Sequence, residues 1–224
     1  SLNRIIRNKR ELTKKYGYVH KYLSEYYKYG GVLYQTKTDF YKTILSTLEV
    51  IALKDLSIIK EVDPDIEENF FKLLYLVALS KPLELSYSKI GNALDKNKVW
   101  VMRFLADVEK TEVLKRVYPC GEGIKMVRKE AKYYLPFPYR FSLCASSDKR
   151  PDIGSLREEF FVNHCDGCYL KTRDIATADF KIKNKTFEIG GKSKRKRQKA
   201  DYIILDGLDT SQNRIPLFLF GFLY

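Results

Sequence analysis

The chain has 224 residues, a net charge of +13 and a sequence pI near 9.4. Its 45% apolar residues supply a core and exclude wholesale disorder, and no run approaches the roughly 18 apolar residues of a membrane span. Four cysteines are too few for a disulfide scaffold, and Ser1-Leu2-Asn3-Arg4 lacks the order of a secretion signal, so a reducing, cytoplasmic location is expected. Residues 4–28 read as helix, rich in Lys, Tyr and Leu and broken by Gly17 and then Gly30-Gly31. A second helix is expected from Thr38 to about Lys60, ended by Asp63-Pro64-Asp65. Residues 67–81 form a stronger one, with Phe70, Phe71, Leu74, Val77 and Ala78 on one face and Lys81-Pro82 as its stop.

Ser86 then caps a short helix through Leu94, with Ile90, Ala93 and Leu94 facing inward. After Asp95-Lys96-Asn97 another helix runs to about Lys110, with Val101, Phe104, Leu105 and Val108 as its apolar stripe. Val113 to Tyr118 reads as a strand, Gly121 and Gly123 as a turn, and Ile124 to Leu135 as a basic returning strand. Three helices followed by a hairpin is the order of a winged helix-turn-helix, which binds DNA or serves as a protein–protein spacer. For DNA, the third helix needs outward donors for phosphates and base edges. Lys96, Trp100 and Arg103 share a face, with Lys98 beside them, while Asp107 on that face opposes phosphate. The hairpin adds Lys125, Arg128, Lys129 and Lys132.

Base is spread evenly: the net charge is +4 over residues 1–66, +5 over 67–147 and +4 over 148–224. One run stands out, Lys192 to Lys199, with six basic residues in eight, four of them consecutive (Lys194, Arg195, Lys196, Arg197). Such a run is either a solvated loop or a contact for a polyanion.

In the last third, Leu156 to Asn163 reads as helix. Two alternating runs, Thr177–Ile182 and Lys185–Gly190, flank Lys183-Asn184 as a β-hairpin. That two-residue loop pairs Ile182 with Lys185, Phe180 with Phe187 and Asp179 with Glu188. Two carboxylates about 4.5–5.5 Å apart at Cβ need compensation by a cation, a nearby base or a raised pKa. A metal-assisted phosphodiester hydrolase site, with Gly190 and Lys192 on the same face, a register one residue different, and plain exposure at a sheet edge all fit this pattern. Gly191-Lys192-Ser193 is not the end of a P-loop, because Thr186 stands where the motif needs Gly, so ATP has no site in this chain. His164-Cys165-Asp166-Gly167-Cys168 has zinc-like ligand types but no second pair, and Cys165 and Cys168 are expected as small, partly buried thiols. Leu217 to Tyr224 is expected as a buried final strand, with an assembly surface as the alternative.

Several pieces in order carry a family resemblance: Lys28-Tyr29-Gly30-Gly31, Tyr118-Pro119-Cys120-Gly121, Lys132-Tyr133-Tyr134-Leu135-Pro136 and Gly154-Ser155-Leu156-Arg157-Glu158. Ala178-Asp179-Phe180, Phe187-Glu188-Ile189-Gly190-Gly191-Lys192 and the terminal Ile215 to Tyr224 complete the set. The chain resembles the portion that follows the P-loop core in bacterial and archaeal AAA-type ATPases of unknown function. The resemblance implies a multidomain α+β fold. Its parts would be a helical lid or linker over 1–66, a winged helix-turn-helix over 67–147 and a PD-(D/E)XK nuclease-like α/β domain over 148–224. It implies Glu158, Asp179 and Glu188 as acids around Mg²⁺, with Asp179 and Glu188 as metal ligands. Gly190 stands where the nuclease motif has Lys, and Lys192 is the nearest substitute. It further implies DNA as partner, self-association through the parent ATPase, and an ATP site confined to a core outside this sequence.

Overall fold

The fold is mixed α+β with two sheets, and the computed structural model describes residues 1–31, 39–56, 65–82, 85–121, 130–170, 178–191 and 200–223. The chain divides into two compact units assembled from interleaved segments. One comprises Ser1–Ser24, Val117–Ala131 and Ile153–Tyr224, the other Glu25–Arg116 and Lys132–Asp152. No helix among the described residues is long and apolar enough to cross a membrane.

The unit built around residues 25–116 is mostly helical. Helix α1 (Leu2–Tyr16) belongs to the other unit, and α2 (Leu23–Tyr29) leads into this one. Helix α3 (Phe40–Val50) passes into a π turn, Ile51–Asp55, burying Phe40, Ile44, Leu48 and Ala52. Helix α4 (Ile66–Leu79) carries Glu67 and Glu68 in its first turn, where carboxylates complement the helix dipole, and buries Phe70, Leu73, Leu74 and Val77. Helices α5 (Tyr87–Leu94) and α6 (Lys98–Lys110) follow, then strands β1 (Lys115–Val117) and β2 (Lys132–Tyr134), which pair with each other, and helix α7 (Tyr139–Ser146). Helices α3 and α4 pack on α7, α4 on α5, and α5 on α6. Arg140 of α7 is 1% exposed and donates to the carbonyls of Val77, at 3.0 Å, and of Ala78. A guanidinium thus satisfies acceptors that the end of α4 leaves without helical partners.

Three expectations change here. The strand expected over Val113 to Tyr118 is confined to Lys115–Val117, and of the returning segment the described residues 130–135 are strand only over Lys132–Tyr134. Ala93 is exposed, not inward. Lys132 is 4% exposed, so it is not a surface donor for phosphate.

The other unit holds a five-stranded sheet in sequence order: β3 (Cys168–Tyr169), β4 (Phe180–Ile182), β5 (Lys185–Gly190), β6 (Tyr202–Leu205) and β7 (Arg214–Pro216). Neighbours are antiparallel from β3 to β5 and parallel from β5 to β7. The β4–β5 register is the one the two-residue loop demands, with Phe180 opposite Phe187 and Ile182 opposite Lys185. Helix α8 (Ile153–His164) lies over this sheet: the Phe161 ring sits 5.4 Å from Phe180, 5.5 Å from Phe187 and 5.1 Å from Phe220. Helix α1 packs on β7, and Lys9 donates to the carbonyls of Gln212 (2.5 Å) and Arg214 (2.8 Å).

Leu217–Phe222 is a 3₁₀ helix, not the expected final strand. A short run of buried apolar residues has no periodicity to distinguish the two, and Pro216, without an N–H, ends β7 just before it. A second correction concerns sulfur: Cys168 is not a free thiol but forms a disulfide with Cys120. Backbone pairing brings them together, since Tyr169 N–H donates to Tyr118 O (3.0 Å) and Cys120 N–H donates to Tyr169 O (2.8 Å). Cys144 and Cys165 are buried and outside the disulfide.

Candidate functional site

Two places collect the residues with chemistry to offer. The first is α5, its turn and α6. Ser86 caps α5 by accepting from Lys89 N–H at 3.2 Å, and Asn97 caps α6 by accepting from Trp100 N–H at 2.9 Å. Between them Asp95 takes the left-handed conformation (φ 52°, ψ 45°) that reverses the chain; its N–H and that of Lys96 both donate to Gly91 O. Gly91 is needed for space: a Cβ there would lie 2.6 Å from Lys96 O. Val101, Phe104, Leu105 and Val108 are fully buried, which turns the opposite side of α6 to solvent.

Lys98 and Arg103 are exposed on that side, together with Val99 and Met102. Two cations thus accompany two uncovered apolar side chains on two turns of helix. The Lys98 ammonium lies 5.7 Å from the Tyr87 ring centroid, and Lys96 is likewise placed over a ring. Its ammonium lies 5.4 Å from the Trp100 ring centroid and 3.7 Å from an Asp65 carboxylate oxygen. Trp100 itself packs on Phe104, with ring centroids 4.6 Å apart, as a wall residue and not a free blade. Asp107 is paired with Lys110 at 3.0 Å. Lys125, Arg128 and Lys129 lie outside the described residues.

The second place is the β4–β5 hairpin. Asp179 sits just before β4, whose pairing with β5 ends at Phe180–Phe187, so no Asp179–Glu188 pair belongs to the observed register. Its carboxylate accepts the Ile189 N–H at 2.8 Å, while its own N–H donates to Phe187 O at 3.0 Å and its carbonyl accepts from Leu170 N–H at 2.9 Å. Asp179 therefore closes the end of the β4 ladder, its side chain replacing a backbone acceptor. Glu188 is 2% exposed. Because Phe187 faces Phe161, alternation along β5 turns Glu188 to the other face of the sheet from α8. Glu158 is on α8 and half-buried; the fully buried carboxylate of that helix is its neighbour Glu159, which sequence reasoning passed over. Among the described residues no three His, Cys, Asp or Glu side chains converge as a metal-binding group. Lys192, Lys194, Arg195, Lys196 and Arg197 lie outside the described residues.

Sequence reasoning also missed β6 and the residue that follows it. Ile203-Ile204-Leu205, bounded by Asp201 and Asp206-Gly207, was its available signal. Asp206 pairs with Arg157 of α8: Nε donates to Oδ2 at 2.5 Å, with side chains 19% and 16% exposed.

The observed class is thus an α+β protein of two interleaved units, one helical and one built on a mixed sheet. No family model and no solved structure matches the chain. It is similar to an uncharacterized protein of Methanocaldococcus jannaschii, MJ1637: 34% identical over 125 residues, which are 54% of this chain and 26% of that protein. The matched part spans about a quarter of that relative's length.

Proposed function

We propose that this chain is the DNA-binding C-terminal region of an AAA-type ATPase, with α4, α5, α6 and the β1–β2 pair forming a winged helix-turn-helix. In this proposal α6 is the recognition helix, and the mixed sheet with α8 is a PD-(D/E)XK nuclease-like domain. The ATP-binding core belongs to a part of the parent protein outside this sequence. The observation that carries the DNA-binding role is the outward side of α6, where Lys98 and Arg103 stand exposed around Val99 and Met102. Lys and Arg are the phosphate- and guanine-binding side chains, and exposed apolar groups on such a helix suit thymine methyls. The +13 charge favours the same partner.

The rival is an active Mg²⁺-dependent nuclease using Glu158, Asp179, Glu188 and Lys192. The binding role is preferred because the Asp179 carboxylate is committed to the Ile189 N–H and alternation sets Glu188 on the face away from α8. The chain is expected to bind duplex DNA with an affinity that falls as salt rises. The Lys98→Glu, Arg103→Glu double variant should bind at least tenfold more weakly, with a salt slope shallower by about two. Equal binding by the double variant removes α6 from the interface. Mg²⁺-dependent plasmid cutting that disappears in Asp179→Asn restores the nuclease.

A further inference from the structure

We infer that Arg157 is a phosphate-binding residue, its guanidinium held by Asp206 beside Gly191 at the carboxyl ends of β5 and β6 to take a phosphodiester of the bound DNA. The inference rests on the DNA-binding role proposed above but concerns a different unit and a different side chain.

Three features place and aim the guanidinium. Asp206, directly after β6, accepts from Nε and from no other Arg157 nitrogen. Gly191, directly after β5, lies close beneath the group: a Cβ at 191 would be 3.4 Å from Nη2 and 3.5 Å from both Cζ and Nη1. The pair is mostly shielded from water yet not sealed, at 19% and 16% side-chain exposure. Among the described residues neither Nη1 nor Nη2 donates to a protein acceptor.

A guanidinium carries five N–H donors in a rigid fork, and four of them remain to be used here. Two parallel N–H groups match two oxygens of a phosphate, and a fork fixed in advance loses less freedom on binding. Asp206 is spent on that fixing. Its Oδ1 is buried without a hydrogen-bond partner, so the carboxylate makes only the bond to Nε. The position is also where an α/β sheet presents ligands, outside the carboxyl ends of parallel strands. From Gly191 the sequence runs straight into Lys192–Lys199, with six bases in eight residues, which favours a polyanion over a neutral ligand.

The test is fluorescence anisotropy of the full chain with a labelled short duplex across roughly 50–200 mM salt. Arg157→Gln should weaken binding about tenfold and make the slope of log K against log salt shallower by about one. Asp206→Ala keeps the Arg157 charge and removes the acceptor that aims it, so affinity should fall severalfold while the slope becomes no shallower than that of the wild type. A structural ion pair alone would lower the thermal stability of both variants and leave DNA affinity and slope unchanged, and that result overturns the inference. Should Arg157→Gln fail to fold, Arg157→Lys keeps the charge and loses the fork; wild-type affinity in that variant overturns the inference as well. Binding lost in Lys98→Glu, Arg103→Glu but intact in Arg157→Gln refutes the Arg157 site and spares the DNA-binding role. A wild-type chain with no salt-dependent binding refutes both.

Discussion

Replacing Gly91 by Ala should destabilise the protein, although helix propensity alone says the opposite. Gly91 lies inside α5, where Ala is favoured over Gly by roughly 1 kcal/mol. The added methyl, however, would sit 2.6 Å from the Lys96 carbonyl oxygen, which is backbone and cannot rotate aside. Restoring ordinary contact needs a retreat of about 0.8 Å by the turn. That movement strains the hydrogen bonds from the Asp95 and Lys96 N–H groups to Gly91 O and disturbs Val101, 3.6 Å from the same methyl. Overpacking of this kind costs about 1–3 kcal/mol, and one without a yielding side chain belongs at the upper end. The net expectation is a loss of about 1–2 kcal/mol, seen in thermal or urea unfolding as a midpoint several degrees lower or a reduced Cm. Ala93→Gly on the exposed side of α5 is the control, costing about 1 kcal/mol through propensity alone. A Gly91→Ala variant as stable as the wild type, or more so, would refute the close approach of turn and helix.

Other outcomes follow from single contacts. Asp179→Ala leaves the Ile189 N–H without its acceptor and should cost about 1–3 kcal/mol, whereas Asp179→Asn keeps a carbonyl there and should stay within about 1 kcal/mol of wild type. Equal losses in denaturant unfolding would argue that the charge, and not the acceptor, matters. The hydrogen bonds from Ser211, then that from Arg214, hold the Asp209 carboxyl down to about 2. A depressed folded pKa contributes stability above the unfolded value near 3.8 that is lost as pH falls through about 2. The Tm difference between wild type and Asp209→Ala should therefore be constant near neutrality and close between about pH 4 and 2; a gap that widens with acid contradicts this. Reducing the Cys120–Cys168 bond, which closes a loop across 48 residues, should cost up to about 4 kcal/mol. The intact mass should rise by two hydrogens on reduction, and a Tm indifferent to reductant would contradict the crosslink.

The parts legible in the sequence are those governed by local rules. Ser86 announces a helix start because its side chain accepts from the third residue on, and the observed α5 begins directly after it. The Lys183-Asn184 loop fixes the β4–β5 register because a two-residue connection leaves no slack, and Lys183 takes the positive φ of 55° that such turns need. What was not legible depends on distant partners. Cys120 and Cys168 are 48 residues apart with no pairing signal, and only the backbone bonds of Tyr169 bring them together. The two-residue loop leads one to expect Asp179 opposite Glu188, but it cannot show that the Asp179 N–H goes to Phe187 O and its carboxylate to the Ile189 N–H. The Arg157–Asp206 pair joins a helix to the end of a parallel strand, 49 positions away, and no local pattern encodes it.

The central claim, that α6 lies on DNA, is tested most directly by placing a photo-crosslinking amino acid at Met102 of α6 and, separately, at exposed Glu49 of α3, and irradiating each with duplex DNA. A covalent adduct at position 102 that high salt suppresses, with none at position 49, is the predicted result. Crosslinking at position 49 alone, or at both positions alike, would contradict α6 as the recognition helix.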